Sequence, residues 1–152
     1  MGPPGVGKGT QAKIIKDKLQ IAHISTGELL RQEIAEKTEV GMVAKKYIDQ
    51  GKLVPDNFLF TIVNERLGQP DCGDGYILDG FPRTLNQANG LETIMGSFEH
   101  SLDRAISLYA DEDALVERLV KRGENSGRSD DTSNIIINRQ KIYWQQTAPL
   151  LD

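Results

Sequence analysis

Residues 2–10 are Gly2-Pro3-Pro4-Gly5-Val6-Gly7-Lys8-Gly9-Thr10, and they lead directly into a segment with helical periodicity. They match the phosphate-loop pattern G-x-x-x-x-G-K, except that Gly9 stands where a serine or threonine usually follows the lysine. Glycines let consecutive backbone N–H groups point into one concavity, and the lysine adds a positive charge over the outer phosphates of a nucleotide. The alternative, a glycine- and proline-rich turn with an incidental lysine, fits this spacing poorly. The sequence therefore predicts a site for a nucleoside triphosphate.

The composition indicates one globular domain. The 152 residues, of which 38% are hydrophobic, are enough to form a single core. A formal net charge of −4 gives no indication of a nucleic-acid partner, so we expect a monomer whose partners are small molecules. Cys72 is the only cysteine, which excludes an internal disulfide and a cysteine-built zinc site. The sequence shows neither a secretory leader nor an apolar run of membrane-spanning length, so we expect a cytoplasmic protein that does not bind membranes.

Short apolar runs alternate with amphipathic segments, which predicts an α/β fold with helices layered on a parallel sheet. Strands are predicted at 21–24, Tyr76–Asp79 and 105–109. Helices are predicted after the glycine loop, from Ser25, over 40–47, from Asp56 to Gly68, over 85–96, from Asp111 and over 132–146. Ser25 with Glu28 resembles a capping box, and Asp56 is a candidate cap for its own helix. Residues 123–128 are predicted to form a polar loop.

The strand Tyr76–Asp79 ends in a carboxylate and runs into the turn Gly80-Phe81-Pro82-Arg83-Thr84. An acidic residue at a strand end beside a phosphate loop can hold the water shell of Mg²⁺, so Asp79 is a candidate metal residue. Arg83 lies on the adjacent turn and can form paired hydrogen bonds with a phosphate. The structural alternatives are a helix or turn cap for Asp79 and a surface ion pair for Arg83.

Positive charge is concentrated around the predicted loop 123–128, where the flanking arginines are Arg118, Arg122, Arg128 and Arg139. The first two lie four residues apart and therefore share one face of a helix. A solvated charged face would explain any one of these arginines by itself. Four of them around one short loop predict a lid that closes over transferring phosphates. Asp130 and Asp131 could pin that lid through ion pairs.

These motifs together make the chain similar to the adenylate kinases that have a short lid. The segments that carry the resemblance are GPPGVGKGT, ISTGELLR, QGKLVPD, ILDGFPRT, Gln87, RLVKRGENSGRSDD, Arg139 and QTAPLLD. They extend over nearly the whole chain in the family's order, which is far more specific than a phosphate loop alone. The resemblance implies a three-layer P-loop fold in a single domain, residues 1–152. It also implies a helical monophosphate-binding insertion at about 25–54 and a short lid at about 122–132.

The resemblance implies reversible, Mg²⁺-dependent transfer of a phosphoryl group from ATP to AMP, giving two ADP, without zinc. The implied ATP-binding residues are Gly5, Val6, Gly7, Lys8, Gly9, Thr10 and Arg118. The implied AMP-binding residues are Thr26, Arg31, Lys52, Leu53, Val54, Gly80, Arg83, Gln87, Arg128 and Arg139. The implied catalytic residues are Lys8, Arg83, Arg118, Arg122, Arg128 and Arg139. Asp79 would bind the metal through water, with Thr10 as a second candidate.

Two other functions remain open at this point. The first is a kinase that prefers UMP or CMP, although Thr26 argues against it because those relatives tend to carry alanine there. The second is a non-catalytic fragment that only binds nucleotide. Relative to the family, the strand before the glycine loop is missing, as are the last strand and helix. We therefore expect a chain shortened at both ends, with low stability or weak activity.

Overall fold

The computed structural model describes residues 1–126 and 128–151 and has an α/β fold. In chain order its main elements are α1 (Lys8–Leu19), β1 (Ala22–Ser25), α2 (Thr26–Glu36), α3 (Glu39–Ile48), α4 (Asp56–Leu67), β2 (Tyr76–Asp79), α5 (Leu85–Ser97), α6 (Glu112–Ser126) and α7 (Ser133–Ile142). Short 3₁₀ turns lie at Pro70–Cys72 and Ala148–Leu151, and a π-helical turn at Tyr143–Thr147 continues α7.

The two strands β1 and β2 pair in parallel, with Ala22 opposite Tyr76 and Ser25 opposite Asp79. Because the carboxyl ends of parallel strands meet at one edge, the start of α2 and the turn after β2 lie side by side. The Thr26 hydroxyl donates to the Gly80 carbonyl at 3.1 Å across this edge. Helices α1 and α2 pack on the sheet, as the predicted layered fold requires.

The predicted strand at 105–109 is wrong, because residues 101–110 are irregular. This segment makes two backbone hydrogen bonds with Met1: Leu108 N–H donates to the Met1 carbonyl at 3.0 Å, and the Met1 amino group donates to Ile106. Contact with a single residue is too short to form a ladder. Several apolar side chains of the segment consequently stay exposed, including Ile106 and Tyr109.

Of the two predicted helix caps, the one at Ser25 is confirmed and the one at Asp56 is wrong. The Ser25 hydroxyl accepts the Glu28 N–H at 3.4 Å, which confirms the predicted cap of α2. Asp56 does not cap α4: it is the first helical residue, Pro55 holds the cap position, and no side chain caps this helix. The Asp56 carboxylate instead accepts hydrogen bonds from the side-chain amides of Asn86 and Gln87 on α5.

The predicted polar loop 123–128 is wrong for its first part, because α6 continues through Ser126. Gly123 remains helical where it packs against the neighbouring segment: an added Cβ would come within 2.8 Å of the Asp131 carbonyl oxygen. Gly127 lies outside the described residues. Arg128 is the first residue of the irregular segment that leads to α7.

The main core lies where the helices α2 to α5 pack against the strands. Its buried side chains include Ile24, Leu30, Ala44, Val63, Leu67 and Leu91. Leu115 and Leu119 of α6 and Ile136 of α7 are also fully buried. In the part of the chain that the structure describes, no helix combines the length and apolar character needed to cross a membrane.

Candidate active site

The backbone of the glycine loop adopts angles that favour glycine. Gly5 and Gly7 adopt positive φ angles of 87° and 101°, which residues with a Cβ rarely tolerate. A Cβ on Gly5 would also come within 2.9 Å of the Leu115 carbonyl oxygen. Gly7 immediately precedes α1, so the loop ends at a helix N-terminus, where backbone N–H groups can receive an anion.

Lys8 is folded back over the same loop. Its ammonium group donates to the carbonyl oxygens of Gly2 at 2.7 Å and Pro3 at 3.0 Å. Burial and, to a smaller extent, the nearby positive charge of Arg83 lower the pKa of Lys8 to about 8, although Asp79 opposes this shift. The loop therefore holds a desolvated cation that an anionic phosphate would stabilise.

Asp79 lies against this loop, at the end of β2. Its Oδ2 atom would be 3.3 Å from a Cβ placed on Gly9, so the missing side chain leaves the carboxylate beside the start of α1. Among the described residues, no group of three or more His, Cys, Asp or Glu side chains could hold a metal by itself. One carboxylate beside a phosphate loop fits Mg²⁺ that arrives with a nucleotide, because Mg²⁺ is commonly held by one or two carboxylates plus substrate phosphates.

A cavity lies at the carboxyl edge of the sheet. Its volume is about 590 Å³ when the solvent-filled space at its entrance is included. Eight of the residues assigned to AMP by resemblance line it: Thr26, Arg31, Lys52, Leu53, Val54, Gly80, Arg83 and Arg139. The lining combines apolar side chains with cationic side chains from distant parts of the chain. The cavity can thus receive a flat apolar group together with an anion.

The predicted ion pairs at Asp130 and Asp131 are present. Arg122 grips Asp131 through two hydrogen bonds, Nε to Oδ2 at 2.6 Å and Nη2 to Oδ1 at 2.7 Å. Arg139 donates to the same carboxylate at 2.6 Å and lies 3.0 Å from Asp130 Oδ2. Burial of Asp131 opposes ionisation and is the largest single effect, but the hydrogen bonds and positive charges of Arg122 and Arg139 together outweigh it and lower the pKa of Asp131. Two arginines are thereby held at fixed positions by one buried carboxylate.

The positive side chains at this site lie close enough together to lower one another's pKa. Burial and, after it, the charge of Arg139 lower the pKa of Arg83 to about 10. The charges of Arg139 and Arg122 also lower the pKa of Lys8. Like charges are costly to gather in a partly desolvated place. A cluster of this kind indicates a site built for a polyanion.

The end of α3 touches the segment that carries these groups. The Ser129 hydroxyl donates to Asp49 Oδ1 at 2.9 Å, and the Asn138 amide donates to the Gln50 carbonyl at 2.7 Å. Gly51 packs so closely on α7 that an added Cβ would meet the Ile135 side chain at 2.9 Å. In this structure the predicted insertion and the predicted lid therefore lie in contact.

Some predicted residues lie apart from the cavity lining. Arg118 is exposed on α6, and Thr10 is exposed on α1. Arg128 is half-buried, and its charge contributes to a lowered pKa of Arg31, whose largest cause is burial. Gln87 is fully buried beneath the lining, with its side chain bonded to Asp56 and to the backbone of Arg83. The roles assigned to these residues stay predictions.

The structure adds lining residues that sequence reasoning missed: Gly27, Leu30, Ile48, Gly51, Leu59 and Asp130. Leu30 lies four residues after Thr26 on α2, so helical periodicity could have placed it on the same face. Ile48 and Leu59 carry only the general signal of apolar core positions. Their place at the cavity depends on how α3 and α4 pack against α2.

Comparison with known proteins agrees with this site. The family model described as adenylate kinase matches residues 1–152. The chain belongs to the adenylate kinase family. An adenylate kinase of Cyanothece sp. is 48% identical over 151 residues, which cover 99% of this chain and 77% of the relative. Adenylate kinases of Nocardia farcinica and Leptospira biflexa are 45% and 48% identical, and each comparison covers all of this chain and 82% of the relative.

Membership of the adenylate kinase family makes this chain a phosphotransferase.

The lowered pKa of Lys8, in the glycine loop, predicts that nucleotide binding depends on pH. Lys8 is charged below pH about 8, and a bound phosphate favours its ammonium form. We therefore expect the affinity for ATP to fall as the pH rises through about 8, with proton uptake on binding above that pH. Calorimetric titration with Mg²⁺-ATP at pH 7.5 and 9.5, in buffers of different ionisation heat, measures both effects.

Lys8→Arg is the matched control for this titration, because arginine stays charged over the whole range. Its ATP affinity is expected to be independent of pH between 7.5 and 9.5. An unchanged affinity of the unmodified chain across that range would show that Lys8 does not titrate there.

Proposed function

We propose that this chain catalyses reversible, Mg²⁺-dependent transfer of the terminal phosphoryl group of ATP to AMP, giving two molecules of ADP. The observation that carries the proposal is the gathering of four cations: Arg83 and Arg139 line one cavity, and Arg122 shares the Asp131 carboxylate with Arg139. The charges of all three arginines also act on Lys8. The glycine loop supplies a place for one nucleotide and the cavity a place for the other. Family membership adds independent support.

AMP is proposed to occupy the cavity at the edge of the sheet. Leu30, Ile48 and Leu59 offer apolar surface for a base, while Arg31, Arg83 and Arg139 offer donors for a phosphate. Thr26 is buried with its hydroxyl on the Gly80 carbonyl, which holds the two edges of this site together. Gln87 and Arg128 belong to the same proposal as residues at the border of the cavity.

The transfer needs no general base. An oxygen of the AMP phosphate, already ionised near neutral pH, forms a bond to the γ-phosphorus of ATP, and the bond to the β,γ-bridging oxygen breaks. The electrons of that bond leave with ADP. Since no proton must be removed from the nucleophile, the protein has only to align two polyanions and stabilise the charge on the moving group. Lys8 and the arginines have the positive charge for this task.

ATP enters as its Mg²⁺ complex, in which the metal reduces the charge of the β- and γ-phosphates. Asp79 is proposed to receive the hydration shell of that complex because its carboxylate lies beside the start of α1. Thr10 is a second candidate on the first turn of the same helix. Contact between the end of α3 and Ser129 supports closure around the two nucleotides, and closure matters because water would otherwise accept the phosphoryl group.

A coupled assay of ADP formation tests this proposal. With Mg²⁺ and ATP present, we expect AMP to be a far better acceptor than CMP or UMP, and we expect activity to disappear on chelation of the metal. Faster turnover with UMP or CMP would favour the pyrimidine-specific alternative. Nucleotide binding without any ADP formation would favour the non-catalytic alternative.

The proposal includes three further properties of the protein. We expect lower activity than that of the longer relatives, because Leu102, Ile106, Tyr109 and Trp144 remain exposed and such apolar surface weakens a fold or invites association. Turnover per molecule and a thermal melt measure this property. The second property is a monomeric state without nucleic-acid or membrane partners, and gel filtration tests whether the chain is a monomer. The third property is a cytoplasmic location.

A further inference from the structure

The backbone of Arg83 is held from both sides by buried side chains. Its N–H donates to Gln87 Oε1 at 2.8 Å, and its carbonyl oxygen accepts the Thr147 hydroxyl at 2.8 Å. Gln87 has no exposed surface, and Thr147 is buried. The Arg83 side chain meanwhile reaches the cavity, with Nε donating to the Gly80 carbonyl at 2.7 Å. Both polar groups of the peptide backbone at Arg83 are therefore fixed, while its guanidinium faces the cavity.

Gln87 is held in turn by its surroundings. Its side-chain N–H donates to Asp56 Oδ1 at 2.7 Å, and its backbone N–H donates to the Thr84 hydroxyl at 3.1 Å. The Asp56 carboxylate only accepts and the Arg83 N–H only donates, so these two partners determine which end of the Gln87 side-chain amide faces each of them. Gln87, itself held by Thr84, thus holds the backbone of Arg83 from within the same short segment of the chain.

Thr147 comes from a distant part of the chain, at the end of the π-helical turn Tyr143–Thr147. The wide turn is visible in the hydrogen bond from Ala148 N–H to the Tyr143 carbonyl, five residues earlier. Such turns are rare and occur frequently at functional sites. The same helical run carries Arg139, whose charge acts on Arg83. Thr147 thus connects the helix that bears one phosphate-facing arginine to the backbone of another.

We propose that Thr147 is a positioning residue for phosphoryl transfer: its hydroxyl fixes the Arg83 carbonyl and thereby aims the Arg83 guanidinium at the phosphate of AMP. This inference rests on the proposed function, because the aim of Arg83 matters only where a phosphate is bound. Thr147 is not among the residues that line the cavity. Its effect on the reaction must therefore pass through Arg83.

Thr147→Val tests the proposal because it removes the hydroxyl while keeping the shape of the side chain. We expect kcat/KM for AMP to fall by about tenfold to a hundredfold, as small misplacements of a binding group do, with KM for ATP unchanged. Thr147→Ser keeps the hydroxyl and should restore activity close to that of the unmodified chain. Thr93→Val is the matched control, since Thr93 is exposed and its hydroxyl donates to the Asn89 carbonyl within α5.

A double-mutant cycle identifies the route of the effect. In an Arg83→Ala background, Thr147→Val should cause no further loss of kcat/KM for AMP, because the group that it positions is gone. An equal loss in both backgrounds would overturn the proposal. So would unchanged kinetics of Thr147→Val, or a lower melting temperature without any change in kcat/KM for AMP at temperatures where the variant is folded.

Folding of the variants is checked by thermal melts. Should Thr147→Val not melt cooperatively, Thr147→Ala removes the same hydroxyl without a new group, and the same kinetic comparison applies. Failure of both variants to fold would assign Thr147 a structural role and overturn the proposal. Absence of ADP formation by the unmodified chain would instead contradict the proposed function, so the two failures are distinguishable.

Discussion

Replacing Arg122 by alanine should lower kcat for ADP formation by roughly 10³–10⁵-fold, the range seen when a transition-state arginine is lost from related phosphoryl transfers. Two hydrogen bonds to Asp131 fix the plane of the Arg122 guanidinium. In the proposed mechanism, the positive charge is thus already in place when negative charge spreads over the moving phosphoryl group, and a charge placed in advance stabilises the transition state most. Initial rates at saturating ATP and AMP measure the effect.

Stability has to be separated from catalysis in the Arg122→Ala variant. Loss of Arg122 removes one partner of a buried carboxylate, but Arg139 still pairs with Asp131 at 2.6 Å, so we expect the fold to survive. Arg122→Lys keeps the charge without the two-pronged geometry and should retain part of the rate. Arg104→Ala removes an exposed arginine and should leave the rate unchanged. A rate for Arg122→Ala within a few-fold of the unmodified chain would contradict the proposed role.

Replacing Lys8 by methionine should lower kcat/KM for ATP by about 10²–10³-fold, as loss of one charged donor to a reacting group does. Lys8 is the cation of the glycine loop, and its desolvation makes a bound phosphate its best partner. Methionine keeps the length of the side chain and removes the charge. The same coupled assay, with ATP varied at saturating AMP, measures the loss.

Lys13→Met is the matched control for this substitution because Lys13 is exposed on the same helix. It should behave like the unmodified chain in both rate and melting temperature. A folded Lys8→Met variant with a kcat/KM within twofold of normal would remove the glycine loop from the proposed mechanism. Calorimetry with ATP would show at the same time whether binding persists without the charge.

Features of the fold that depend on residues close together in the sequence were predictable from the sequence. The glycine loop, the strand Tyr76–Asp79 and the cap at Ser25 appear in the structure where local patterns place them. Helix α5 continues through Gly90, where an added Cβ would come within 2.3 Å of the Phe60 ring. That glycine is required by the partner helix rather than by α5 itself.

The wrong predictions all concern contacts between distant segments. Residues 105–109 have the apolar pattern of a strand, yet a strand also needs a partner ladder, and here the two backbone hydrogen bonds of the segment run to Met1. Residues 123–126 are polar, yet α6 continues where Gly123 fits against Asp131. The carboxylate of Asp56 does not cap its own helix but accepts hydrogen bonds from two side-chain amides of α5.

By itself the sequence determined the family, the phosphate loop and the arginines available for an anionic ligand, because spacing along the chain encodes local conformation and chemical type. Only the tertiary structure decided which of those groups meet. It brought Arg31, Arg83 and Arg139 to one cavity, left Arg118 exposed, and joined Thr147 to the backbone of Arg83. The physical reason is that packing between elements sets the position of a side chain in space, and no local pattern records that packing.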